Sequence, residues 1–167
     1  MPIVVILSGP NGAGKTTAAP TLLQGPFRVD AFVNADIIAR GLGGMSPGET
    51  DFEAGRIMIE RLDKLGEAGA NFAFETTLAS KTLLPRVTKL KDRGYIFALL
   101  YVWVPSPEDS IARVQDRVRR GGHFVPDREV RRRHGRGLRN FFQLYRPIAD
   151  VWRFYDNADP TGPRLIA

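Results

Sequence analysis

Apolar residues in this chain come mostly as unbroken runs rather than as alternating positions, the pattern of parallel strands covered on both faces. Ile3 to Ser8 is the first such run and Tyr95 to Val104 the longest. Between them, Phe27 to Asn34 alternates, with Phe27, Val29, Ala31 and Val33 on one side, and Asn71 to Glu75 reads as a short strand. Helical spacing extends from Pro47 to Ala68, where Ile57, Ile59, Leu62 and Leu65 form an apolar stripe and acids gather at the N-terminal end. Ser46 with Glu49 has the form of a capping box. A helix from about Lys81 to Arg93 is closed by Gly94, and another opens with Ser106 as N-cap and Pro107 at its first position, ending at Gly121-Gly122. The last helix runs from about Pro126 to Asp150 and leads to a strand at Trp152 to Tyr155, with a further strand at Arg164 to Ala167. This alternation predicts an α/β fold: a parallel sheet with helices on both faces and ligands at the carboxyl ends of its strands.

The first run leads into Gly9-Pro10-Asn11-Gly12-Ala13-Gly14-Lys15-Thr16, a complete GxxxxGK[ST] phosphate-binding loop, and Thr17-Ala18-Ala19 then begins as a helix would. The glycines let the backbone fold so closely around phosphates that successive N–H groups point inward, and the helix adds its positive end. Lys15 can reach the β- and γ-phosphates, and the Thr16 hydroxyl suits Mg²⁺. Residues Gly9 to Thr17 are therefore assigned to a nucleoside triphosphate. Pro20 removes a helical hydrogen bond, so the first helix is expected to be short or kinked there.

A length of 167 residues, 43% of them hydrophobic and 25% charged, suits one globular domain, 1–167. No apolar stretch is long enough to span a membrane, no leader is expected before the first strand, and the chain has no cysteine for disulfides or thiolate metal sites. A cytoplasmic protein is the expectation. The net charge of +6 is uneven: eleven of the nineteen arginines lie between Arg113 and Arg146, opposed there by Asp116, Asp127 and Glu129. Such a segment serves bound anions, a solvated helix surface or nucleic acid, and the scarcity of interleaved aromatics speaks against the last. Gly121 to Pro126, between two arginine-bearing helices, has the form of a lid hinge, with the lid at about 113–133. Arg113 and Arg117 lie one helical turn apart on one face, facing the triphosphate, and Arg120 joins from the hinge. His123 reads as a hydrogen-bond donor in the lid. Of Arg131, Arg132 and Arg133, at most two can face one site. Phe141, Phe142, Leu144 and Tyr145 read as packing residues.

Strand ends carry the remaining candidates. Asp36, just past the second strand, is placed either as the base that takes a proton from a substrate hydroxyl or as the N-cap of a helix starting at Ile37. Glu75 ends the third strand as a metal-side acid would, although no apolar run ending in Asp is present. Thr76 and Thr77 fit substrate contact or a turn cap equally.

Taken in order, the phosphate loop, Phe32-Val33-Asn34-Ala35-Asp36, Phe74-Glu75-Thr76-Thr77-Leu78, the Arg113 to Pro126 segment and Tyr155-Asp156-Asn157 resemble the zeta toxin family of P-loop kinases over nearly the whole chain. The resemblance implies a P-loop NTPase fold like that of nucleoside-monophosphate kinases with an arginine-rich lid, ATP or GTP as donor, and Mg²⁺. For the toxins themselves it implies phosphorylation of the 3′-hydroxyl of UDP-N-acetylglucosamine and neutralisation by an antitoxin protein. It puts Asp36 in the place of the general base, Lys15 in that of the phosphate lysine, Thr77 in that of a substrate-binding threonine, and Arg117 with Arg120 in those of lid arginines. Asn34, Arg40, Glu75 and Thr76 fall beside the acceptor. Two departures stand out. A lid arginine of the toxins precedes a Thr-Pro pair, where this chain has Gly122-His123-Phe124-Val125-Pro126, and Arg40 lies one residue off the acid-x-x-Arg spacing. Another small-molecule or nucleic-acid-end kinase would share every phosphate-side residue, as would a non-catalytic, nucleotide-switched binding module.

Overall fold

Six strands form one sheet in the order β2-β3-β1-β4-β5-β6, with β1 (Ile3–Ser8), β2 (Ala31–Val33), β3 (Phe72–Thr76), β4 (Ile96–Trp103) and β5 (Val151–Asp156) all parallel and β6 (Arg164–Leu165) antiparallel at the edge. The computed structural model describes residues 1–24, 27–42 and 47–167. β1 and β4 lie in the middle, where their unbroken apolar sequences are buried on both faces.

On one face Val4, Ile6, Phe72, Phe74, Phe97 and Leu99 pack against α3 (Pro47–Glu67) and α4 (Leu84–Asp92) through Met58, Leu62, Leu65 and Val87. On the other, Val5, Leu7, Ala98, Leu100 and Val102 meet α1 (Lys15–Leu23) through Ala18, Ala19 and Leu22. A separate small core of Ile111, Val114, Val125 and Val130 joins α5 (Pro107–Arg119) to α6 (Asp127–Asn140). Among the described residues no helix is long and apolar enough to cross a membrane.

Several boundaries depart from the expected ones. The second strand shrinks from Phe27–Asn34 to three residues, because Arg28 takes a left-handed φ of 40° and the chain turns before it can pair. Its last expected residue, Asn34, instead caps α2 (Ala35–Gly41), which starts two residues before Ile37. α4 begins at Leu84 rather than Lys81, since the Ser80 hydroxyl accepts the Thr82 N–H and holds a turn there. The long C-terminal helix divides: α6 stops at Asn140, a π-turn follows over Phe141–Tyr145, and a 3₁₀ turn over Arg146–Ile148. The wider π-turn brings Phe141 and Tyr145 together into the core, and Pro147 then has no N–H to continue. α1 is short, nine residues, and passes through Pro20 to Leu23. Ser106 does cap α5, accepting the Asp109 N–H at 3.1 Å, whereas Ser46 of the expected capping box lies outside the described residues.

Candidate active site

The sheet order sets the site. β1 ends between β3 and β4, so the loop that follows it emerges beside the ends of both. Gly9 carries the chain out of the strand at φ 146°, and a Cβ there would stand 2.1 Å from the Val102 carbonyl oxygen. Ala13 N–H closes a turn on the Pro10 carbonyl at 3.2 Å, after which α1 begins at Lys15. Lys15 is 6% exposed, and its ammonium donates to Pro10 O at 3.0 Å and stands 3.6 Å from Glu75 Oε1. Burial pushes the Lys15 pKa below its ordinary value, while Glu75 and Asp36 draw it back up.

Glu75, from the end of β3, is the hub. Its Oε2 accepts from the Thr16 hydroxyl at 2.8 Å and from Asn34 Nδ2 at 2.8 Å. Asn34 thus joins β2 to β3 and, through its Oδ1, accepts the N–H groups of Asp36 and Ile37. Asp36 sits in the first turn of α2 with its carboxylate 3.9 Å from Arg117 Nη1. Arg117 also donates to the His123 carbonyl at 3.0 Å, and His123 Nε2 stands 3.6 Å from Asp51 on α3.

These groups face one cleft of about 1,720 Å³, lined also by Arg40, Thr76, Thr77, Arg113, Arg120, Arg132 and Arg133. The described structure therefore brings together all the sequence-derived candidates except Gly9, Pro10 and Ala13, which are buried behind the loop and shape it. Their placement is unequal. Arg120 is paired with Asp116 at 2.6 Å and largely exposed, and Arg113 donates to Ala158 O at 3.1 Å. Thr76 serves a turn, accepting the Leu78 N–H at 3.1 Å. Of the three consecutive arginines, Arg131 turns to Glu108 while Arg132 and Arg133 face the cleft. Arg133 reaches the phosphate loop at Asn11 Oδ1, 3.4 Å away. Sequence spacing did not single it out, because its neighbours share its chemistry and only α6 packing decides which one points inward. Asn157 belongs to the Tyr155-Asp156-Asn157 motif that carries the family resemblance, but no role was read for it; its side chain donates to the Ala13 carbonyl at 2.7 Å.

Among the described residues no three His, Asp or Glu side chains converge as a metal cage. A hydroxyl and a carboxylate do meet, Thr16 and Glu75, and these hard oxygens with a nucleotide's phosphates suit Mg²⁺.

A phosphate loop on a central parallel strand, with Glu75 at the end of the adjacent β3, Asp36 just past β2 and an arginine-bearing helical pair above, defines a P-loop kinase-like domain. A family model described as an AAA domain matches residues 4–139, and the chain belongs to that family, AAA_33. An uncharacterized protein of Haemophilus influenzae is 29% identical over 133 residues, 78% of this chain and 91% of its own length. A Chloroflexus aurantiacus structure provisionally designated a kinase superposes with a TM-score of 0.69 at 17% identity, over 96% of this chain and 90% of that one. The PezAT toxin–antitoxin structure of Streptococcus pneumoniae gives 0.68 at 19%, over the whole of this chain (100%) and 71% of the other. The complex of AvrRxo1-ORF1 and -ORF2 with ATP gives 0.76 at 20%, again over 100% of this chain but 58% of that one. At these identities the likeness is one of fold.

Proposed function

We propose that this protein is an ATP-dependent phosphotransferase that places a phosphoryl group on a hydroxyl. The observation that carries the reading is the convergence of Lys15, Thr16, Glu75, Asp36 and Arg117 on one cleft. Phosphoryl transfer asks mainly for positioning and charge stabilisation. In this reading the loop amides and Lys15 hold the phosphates, with Thr16 and Glu75 beside them to hold Mg²⁺, which when bound neutralises charge on the phosphate oxygens. Asp36 takes the proton of the acceptor hydroxyl. Arg117 and Arg120 act from a lid formed by α5, the 120–126 turn and α6, and Arg113, Arg132 and Arg133 enlarge the field for anions.

The cleft is larger than the ~300–1,000 Å³ of a usual small-molecule pocket, which favours an acceptor of substantial size in addition to the nucleotide. UDP-N-acetylglucosamine fits that requirement and the resemblance to the zeta toxins, with Thr77, Asn34 and Arg40 on the acceptor side. An antitoxin-like protein partner belongs to the same reading. The basic lining, with Arg40, Arg113, Arg132 and Arg133, favours a nucleic-acid end as the second acceptor class. The test is incubation with Mg-ATP and a panel of sugar nucleotides, nucleosides and RNA ends, followed by mass spectrometry. A gain of one phosphate on one acceptor, lost in Lys15→Ala, supports the reading; nucleotide binding without transfer to any acceptor points to a nucleotide-switched binding module.

A further inference from the structure

Asn157 lies just beyond β5 and beyond the residues matched by the family model, yet it touches the phosphate loop. Its backbone N–H continues the sheet, donating to Trp103 O at 2.9 Å, which fixes where the side chain starts. The side chain is buried, 9% exposed for the residue, and its Nδ2 donates to the Ala13 carbonyl at 2.7 Å. A Cβ on Gly14 would stand 2.6 Å from the same nitrogen, so the amide is packed directly against that residue. The next residue adds a second tie. Ala158 O accepts from Arg113 of α5 at 3.1 Å, and its N–H is held by Asp156 Oδ1 at 2.9 Å.

The consequence follows from peptide planarity. In a trans peptide the C=O and N–H point in opposite directions. Drawing the Ala13 carbonyl back toward Asn157 therefore aims the Gly14 N–H forward, to the side from which a phosphate loop grips its anion. We propose that Asn157 is a positioning residue of the phosphate cradle, setting the 13–14 peptide in its anion-binding orientation from behind. This rests on the nucleotide reading above and does not depend on the acceptor.

Asn140 supplies an internal comparison. It is buried to a similar degree, 8% exposed, and donates to a backbone carbonyl, Leu78 O, at 2.8 Å, but it does not touch the loop. Binding of Mg-ATP and of tripolyphosphate is measured by calorimetry for the wild type, Asn157→Ala, Asn157→Asp and Asn140→Ala, with melting temperatures alongside. Asn157→Ala is expected to weaken both ligands about tenfold, the scale of one lost buried hydrogen bond. Asn157→Asp keeps the shape, replaces the donor with a carboxylate facing a carbonyl, and weakens both further; it also serves if the alanine variant does not fold. Asn140→Ala is expected to lose comparable stability and to bind both ligands within about twofold of wild type.

Equal losses in the Asn157 and Asn140 variants overturn the proposal, since stability alone then accounts for them. So does Asn157→Ala binding at wild-type strength, or a loss confined to ATP with tripolyphosphate unchanged, which would move the effect to the nucleobase. A wild-type protein that binds neither ligand overturns the nucleotide reading itself, and that failure is seen before any variant is compared.

Discussion

Asn34 caps the helix whose first turn carries Asp36: its Oδ1 accepts the Asp36 N–H at 2.8 Å, so the Asp36 carboxylate has no capping duty. The two neighbouring residues should thus separate cleanly by mutation. Asp36→Asn is expected to leave the melting temperature nearly unchanged, leave ATP binding intact, and cut phosphoryl transfer by roughly 10² to 10⁴-fold. Asn34→Ala should lower stability by about 1 kcal/mol, as loss of an N-cap does. Thermal melts and steady-state rates on both variants check this. An Asp36→Asn protein that melts early and turns over normally would make the carboxylate a structural group.

Arg117 makes two contacts, standing 3.9 Å from the Asp36 carboxylate and donating to the His123 carbonyl at 3.0 Å, and the proposed lid role predicts what its loss would do. Arg117→Ala should lower kcat more than it raises the nucleotide Kd, because a closing cation acts on charge in the transition state. Amide hydrogen exchange between Val114 and Pro126 should slow when Mg-nucleotide binds. Exchange that does not respond would leave α5 as an ordinary charged surface helix.

How far the chain could be read in advance depended on whether a feature is local. Ile3 to Ser8, the phosphate loop and Tyr95 to Val104 were legible because a strand buried on both faces writes itself as an unbroken apolar run. Ser106 and Pro107 announced α5 by their own chemistry. Phe27 to Asn34 misled because its alternation is real while Arg28 breaks the backbone that would use it. The π-turn at Phe141–Tyr145 was hidden by a helical composition that fits either turn width. Glu75 could be seen as an acid at a strand end, but its bonds to Thr16 and Asn34 require the β2-β3-β1 order, which no short motif encodes.

Helix α6 presses on the loop that carries Thr77. At Gly137 a Cβ would come within 2.4 Å of the Thr77 carbonyl oxygen and 3.3 Å of the Tyr101 hydroxyl. Gly137→Ala must therefore move helix or loop, at a cost of about 1–3 kcal/mol. Chemical denaturation should register the loss, and the KM for the acceptor should rise because Thr77 lines the cleft. A variant as stable as wild type would mean that the loop yields freely.

Tyr95, Tyr101 and Tyr145 are buried, and burial raises the pKa of each phenol, that of Tyr145 to about 12. A folded-state pKa above the ordinary 10 means that this stabilisation is whole below pH 10 and is lost as pH rises from 10 through about 12. Tyr145 contributes a slope of up to about 1.4 kcal/mol per pH unit in that window. Tyr145→Phe gives up the hydrogen bond to Ser80 O, about 1 kcal/mol at pH 8, and should flatten the alkaline decline. Urea unfolding from pH 8 to 11.5 measures both; an equally steep decline in the variant would assign the loss to other groups.

The backbone oxygen of Val102, 2.1 Å from where a Cβ of Gly9 would be, belongs to the sheet and not to any ligand. The first glycine of the loop is thereby demanded by how two central strands lie side by side, whatever the cleft above them binds. A descendant that had lost Lys15 and Asp36, and with them all use for a nucleotide, would still be obliged to keep it. Gly9 on its own therefore reports how the strands pack and not what the cleft binds, and the working state of such a protein has to be read from the side chains around it.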